Sequence, residues 1–152
     1  MTSRAGGIFC ITTDTDLEME KVIAQLGDDL KHPDRVAPGH VVVIRGDRCK
    51  TDGDMFEEFA AALQFPLYFG RNWAAFHDSL QDNRTTGGHN VLFISKAADL
   101  LSADEAERIN GFFQEMTEFA QEYSSLNPGW KYWTVVLADS GANISLVQKR
   151  FA

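Results

Sequence analysis

Asp78 and Asp82 stand one helical turn apart, just after the stretch Phe65-Pro66-Leu67-Tyr68-Phe69-Gly70-Arg71-Asn72-Trp73. Carboxylates held on a short helix beside a stiff aromatic turn form charge-assisted hydrogen bonds to Arg, Lys or His of a basic surface, and lose little entropy on docking. Tyr68 adds contact area with few rotors and one hydroxyl. His77, beside Asp78, brings an aromatic ring whose charge changes near neutral pH. These residue types in this order point to recognition of a cationic partner.

The elements that must position them are legible. Pro66 fixes φ, Gly70 permits a reversal, and Asn72 accepts a hydrogen bond from the free N–H groups that open a helix, so a helix is expected over residues 73–83. At about 100° per residue, Trp73, Phe76 and Leu80 share one stripe, and Ala74, Asp78 and Asp82 share another. Elsewhere in the chain, three apolar runs predict strands over residues 40–46, 90–95 and 131–138, and their near-continuous hydrophobicity suits a sheet buried on both faces. Helices are expected over residues 52–63 and 103–123, the latter from the spacing of Ile109, Phe112, Phe113, Met116, Phe119 and Ala120. Ser102 with Glu105 and Thr15 with Glu18 have the form of capping boxes, the second opening an amphipathic run to Leu30. Residues 8–12 read as an additional strand ahead of that run, 31–39 as a two-proline linker, and 85–88 and 127–129 as turns. The tail, 141–152, has alternating Ile144, Leu146 and Phe151, which fits an edge strand or a loose end. The order predicts an α/β fold of three to four mainly parallel strands flanked by helices.

The motif "FPLYFGRNWAAFHDSL" over residues 65–80 resembles the barstar family, the intracellular inhibitors of barnase-type ribonucleases. The likeness runs more loosely over residues 40–140 and is weak before 38, so the expected organisation is one domain over 1–152. Within it, 1–38 is a β-α addition, 40–140 the barstar-like core and 141–152 a tail. The resemblance implies that Asp78 enters a nuclease's catalytic cleft as a phosphate mimic, and that Tyr68 and Gly70 lie against the nuclease beside the helix. It also implies that Asn72 caps the helix and that Glu115 offers an acidic contact from the long helix. His77 stands where the family often carries an aromatic. One departure is pronounced: Ala74 occupies the position where the family's inhibitors usually present a second aspartate. Asp82 offers charge one turn beyond Asp78 from a displaced spot. The implied partner is a basic ribonuclease of the extracellular or toxin type, and the alternative is a non-inhibitory α/β module that binds another protein or a small ligand at the strand C-termini.

Bulk properties agree with a protein partner. Lys plus Arg number 14 against 22 Asp plus Glu, a formal charge of −8 that repels nucleic acid phosphates. With 152 residues, 44% of them hydrophobic, the chain is long enough for one core, and no apolar run approaches the roughly 20 residues that span a bilayer. The N-terminus, with one basic residue and a brief apolar patch, lacks the form of a secretory leader, so a cytoplasmic location is expected. Cys10 and Cys49 are too few for a disulfide framework and read as two isolated buried thiols. His77 and Asp78 are adjacent and point about 100° apart, so they form no orienting pair for a nucleophile. No phosphate loop or dinucleotide fingerprint is present, and no enzymatic activity or cofactor is expected. Asp52-Gly53-Asp54 fails calcium-loop spacing, and His32, His40, His77 and His89 lack short ligand spacings, so no metal is expected either.

Overall fold

The apolar runs do form one sheet, and every pairing in it is parallel. The computed structural model describes residues 7–31, 39–81, 88–104, 106–126 and 131–151. The strands are β1 (Gly7–Thr12), β2 (Val41–Arg45), β3 (Gly88–Ser95) and β4 (Lys131–Asp139), in the spatial order β1-β4-β3-β2. Gly7 pairs with Thr134, Val91 with Thr134 from the other side, and Val41 with Val91. Residues 8–12 therefore belong to an edge strand of the same sheet, and β1 and β2 occupy its opposite edges.

Alternation along β3 sorts the two cores. Val91 and Phe93, with Val136 and Ala138 of β4, face helix α1 (Asp16–Leu30), which packs Met19 and Leu30 onto them. Leu92, Ile94, Val135 and Leu137 face the larger layer, built from α2 (Asp52–Leu63), α4 (Ala106–Leu126) and α5 (Gly141–Phe151). There Phe59, Phe112, Met116 and Trp133 are fully buried. At about 1.5–3 kcal/mol per large apolar side chain, this layer is the main source of stability.

Local signals fix most helix starts. Thr15 caps α1 by accepting from Glu18 N at 3.1 Å, and the Glu18 carboxylate returns to Asp14 N at 2.8 Å. Thr51 caps α2 in the same way through Asp54 N. The starts of α2 and α4 are tied together: Asp52 N donates to Asp104 Oδ2 at 2.5 Å, and Arg108 donates to Asp52 Oδ2 at 2.6 Å.

Four expectations are corrected. The tail is helix α5, because Ile144 and Val147, three residues apart, are both buried while Leu146 is exposed, and Asn143 N donates to Ser140 Oγ as a cap. Helix α4 begins at Ala106, since Ala103 N is held by Lys50 O and Asp104 N by Leu101 O in the preceding turn. Ser102 lies in that turn, and Glu105 falls outside the described residues, as do 85–87, 127–129 and most of the 31–39 linker. Gly88, expected in a turn, opens β3. Of the two thiols only Cys49 is buried; Cys10 is half-buried on edge strand β1. Burial first, then nearby Glu58, Asp54 and Asp47, push the Cys49 thiol up to about 12, which leaves it protonated and inert.

Candidate functional site

Helix α2 ends at Gln64, whose left-handed conformation (φ 55) turns the chain out of the helix. A tight turn follows, closed by Phe69 N donating to Pro66 O at 2.9 Å. Phe65 and Phe69 point inward, their rings 5.1 Å apart and Phe69 6.1 Å from Phe56 of α2. Leu67 and Tyr68 point outward, Leu67 completely exposed and Tyr68 85% exposed. Alternate burial across one turn thus uses two aromatics as anchors and presents an apolar and a phenolic side chain to solvent.

The reversal falls one residue later than expected. Arg71 is the left-handed residue (φ 49), and Gly70 serves proximity instead: a Cβ there would sit 3.0 Å from the Asn72 amide nitrogen. Arg71 is held in place by an ion pair with Glu57 of α2. Asn72 then caps α3 (Trp73–Gln81), accepting from Ala75 N at 2.9 Å through Oδ1 and donating to Gly70 O at 3.1 Å. Asn72→Ala is expected to lower stability by about 1 kcal/mol, read from urea unfolding, because both the cap and the turn lose a partner.

Along α3 the two stripes separate as their spacing requires. Phe76 and Leu80 are buried and Trp73 is half-buried, while Ala74 and Asp78 are exposed. No hydrogen bond or ion pair from the described residues engages the Asp78 carboxylate. Asp82 lies outside the described residues. His77, on the flank of α3, meets Glu115 of α4: Nδ1 is 2.8 Å from one carboxylate oxygen and 3.1 Å from the other. That hydrogen bond is the main cause that raises the His77 pKa; burial opposes it, and the charges of Glu115, Asp78 and Glu118 add to it. Beside this pair runs an open groove of about 390 Å³, lined by Trp73, Gln114 and the acidic Glu107, Glu115 and Glu118, with Arg108 engaged by Asp52.

The fold therefore brings His77 and Glu115 into contact from 38 residues apart, and sets Tyr68, Gly70, Asn72, Ala74 and Asp78 along one continuous segment of turn and helix. Sequence reasoning passed over Leu67 and Glu118. The first is signalled by its place between Pro66 and Tyr68 in a turn whose flanking aromatics are the anchors. The second is signalled by its i+3 spacing from Glu115 on one helix face.

The family model described as Barstar (barnase inhibitor) matches residues 39–132. The chain belongs to the barstar family. The matched span covers β2, α2, the aromatic turn, α3, β3 and α4, and stops in the first residues of β4. The β1-α1 unit, most of β4 and α5 lie outside it. No curated protein matches in sequence. Among solved structures, the chain is similar in fold to Cdc6p from Pyrobaculum aerophilum, with a TM-score of 0.56 at 13% identity over 97% of this chain. It spans 38% of the length of that protein, and the likeness concerns the fold alone. Among the described residues, no helix is long and apolar enough to cross a membrane.

Proposed function

We propose that the chain is a cytoplasmic protein inhibitor of a basic ribonuclease, which it blocks by seating α3 and the aromatic turn in the active-site cleft. The observation that carries this reading is Asp78: an exposed carboxylate on the outer stripe of α3, with no partner among the described residues, in a barstar-family chain. A cleft built to hold phosphates is lined by cations, and a fixed carboxylate replaces a phosphate oxygen there. Tyr68 flanks the carboxylate's helix as the aromatic contact, with exposed Leu67 beside it. Gly70 and Asn72 shape the turn, His77 and Glu115 form the flank beside α3, and Asp82, outside the described residues, is a further candidate carboxylate. Ala74 leaves the first turn of α3 without charge.

The strand C-terminal edge supports a ligand crevice less well. Asp139, at the end of β4, is nearly buried and already accepts from Ala98 N, Ser140 N and the Asn143 amide, so the protein's own groups fill that place.

The direct test is to titrate the purified chain into a barnase-type ribonuclease cleaving a fluorogenic RNA. Stoichiometric loss of cleavage supports the proposal, and full activity at excess chain rejects it for that nuclease class. Ala74→Asp is expected to tighten inhibition about tenfold or more by adding a second charge-assisted hydrogen bond. Its stability should change by less than about 0.5 kcal/mol, because repulsion from Asp78 at i+4 is offset by attraction to the helix N-terminus. The gain should shrink as salt is added.

A further inference from the structure

The contact between α3 and α4 gathers three metal-ligating side chains that sequence spacing did not connect. His77, Glu115 and Glu118 each offer a ligand atom, and the three atoms all lie within 4.8 Å of one another. Ligands about 2.0–2.2 Å from a tetrahedral ion sit roughly 3.4 Å apart, so a spread within 4.8 Å is close to what one ion requires. The two glutamates share a face of α4, and His77 reaches across from α3, so the donors stand on helices rather than on loops. Gln114 donates to Glu118 Oε1 at 3.3 Å, an outer contact that orients the carboxylate.

We propose that His77, Glu115 and Glu118 form a binding site for a divalent transition metal of the Zn²⁺ class. One imidazole and two carboxylates suit Zn²⁺, whereas Mg²⁺ and Ca²⁺ favour oxygen ligands throughout. Three protein ligands leave a fourth position for water, and the site's half-exposed side chains give that water access. The ion takes the place of the proton shared between His77 and Glu115: the imidazole enters coordination neutral, and one proton is released for each pair that held one. Glu107 in the adjoining groove adds negative potential that draws the cation in. Once bound, the ion ties α3 to α4 and offsets the charge of two carboxylates on the flank next to Asp78. The site rests on its own geometry and does not depend on the nuclease reading.

The test is calorimetric titration of the full chain, stripped with chelator and dialysed, with ZnCl₂, alongside NMR spectra of the histidine ring nitrogens. The expected result is one site of micromolar affinity, a shift of the His77 ring signals, and a higher melting temperature with Zn²⁺. His77→Gln and Glu118→Gln should each weaken binding about tenfold or more. His40→Gln, a histidine away from the cluster, should leave it unchanged, and excess Mg²⁺ should not compete. Circular dichroism establishes that each variant is folded. No saturable Zn²⁺ binding by the wild type overturns the proposal; so does binding that survives both cluster substitutions or shifts a histidine ring other than His77.

Discussion

Asp78→Ala is expected to weaken nuclease binding by at least about 2 kcal/mol, roughly thirtyfold in Kd, while the free energy of unfolding stays within about 0.5 kcal/mol of wild type. The two effects separate because of where the carboxylate sits. It is exposed on the outer stripe of α3 and, apart from adding to the charge that raises the His77 pKa, makes no hydrogen bond or ion pair among the described residues, so the folded monomer loses little when it is removed. Inside a cationic cleft, its loss leaves the partner's charged donors without an acceptor in a site closed to water, and that deficit is the larger part of the cost. Asp78→Asn refines the test, since it keeps the shape and one acceptor but removes the charge; it should retain part of the hydrogen bonding and lose most of the salt dependence. The measurement is inhibition of RNA cleavage across a salt series, paired with urea unfolding of each variant. Unchanged inhibition by Asp78→Ala would remove α3 from the proposed interface.

Phe76→Ala is expected to cost about 3–5 kcal/mol of stability, the largest effect of any single side chain in the candidate site. Phe76 is completely buried, and its ring lies 5.2 Å from Phe59, 5.6 Å from Phe56, 5.9 Å from Trp73 and 6.2 Å from Phe65. It therefore joins α2, the turn and α3 at one point. Helix α3 has nine residues, too few to persist alone in water, and so it depends on this packing for its existence. Losing the ring should displace Asp78 as well as lower the unfolding midpoint, so binding falls together with stability. Phe76→Leu, which fills more of the space, should cost distinctly less in both. Urea unfolding followed by tryptophan fluorescence reads the first effect and nuclease titration the second. A loss under about 1 kcal/mol for Phe76→Ala would mean that the aromatic cluster does not hold α3.

The parts of this molecule that were legible in sequence are those whose signal is local. The runs at Val41, Val91 and Val135 announce strands buried on both faces, and Asn72, Thr15 and the spacing of Phe76 and Leu80 announce helix starts and faces. Strand pairing is non-local, and only the structure gives the order that puts β1 and β2 on opposite edges. The tail misled because Ile144 and Leu146 alternate, whereas the helical pair is Ile144 with Val147. Gly70 drew the reversal because glycine tolerates positive φ, yet Arg71 adopts it, supported by the ion pair with Glu57. At the site, Asp78 was legible because exposure on a short helix follows from the stripe opposite. The meeting of His77 with Glu115 was not legible as a hydrogen bond, since it depends on how two helices cross.

The family match begins at residue 39, but the sheet does not allow the chain to be divided there. Helix α1 is what roofs Val91, Phe93, Val136 and Ala138, and β1 is what saturates the free side of β4. A shortened polypeptide starting at the matched boundary would carry a greasy plane and a raw strand border into water, the combination that invites self-association. In this member of the family, β1 and α1 act as a shield for the rest of the sheet rather than as an optional appendage.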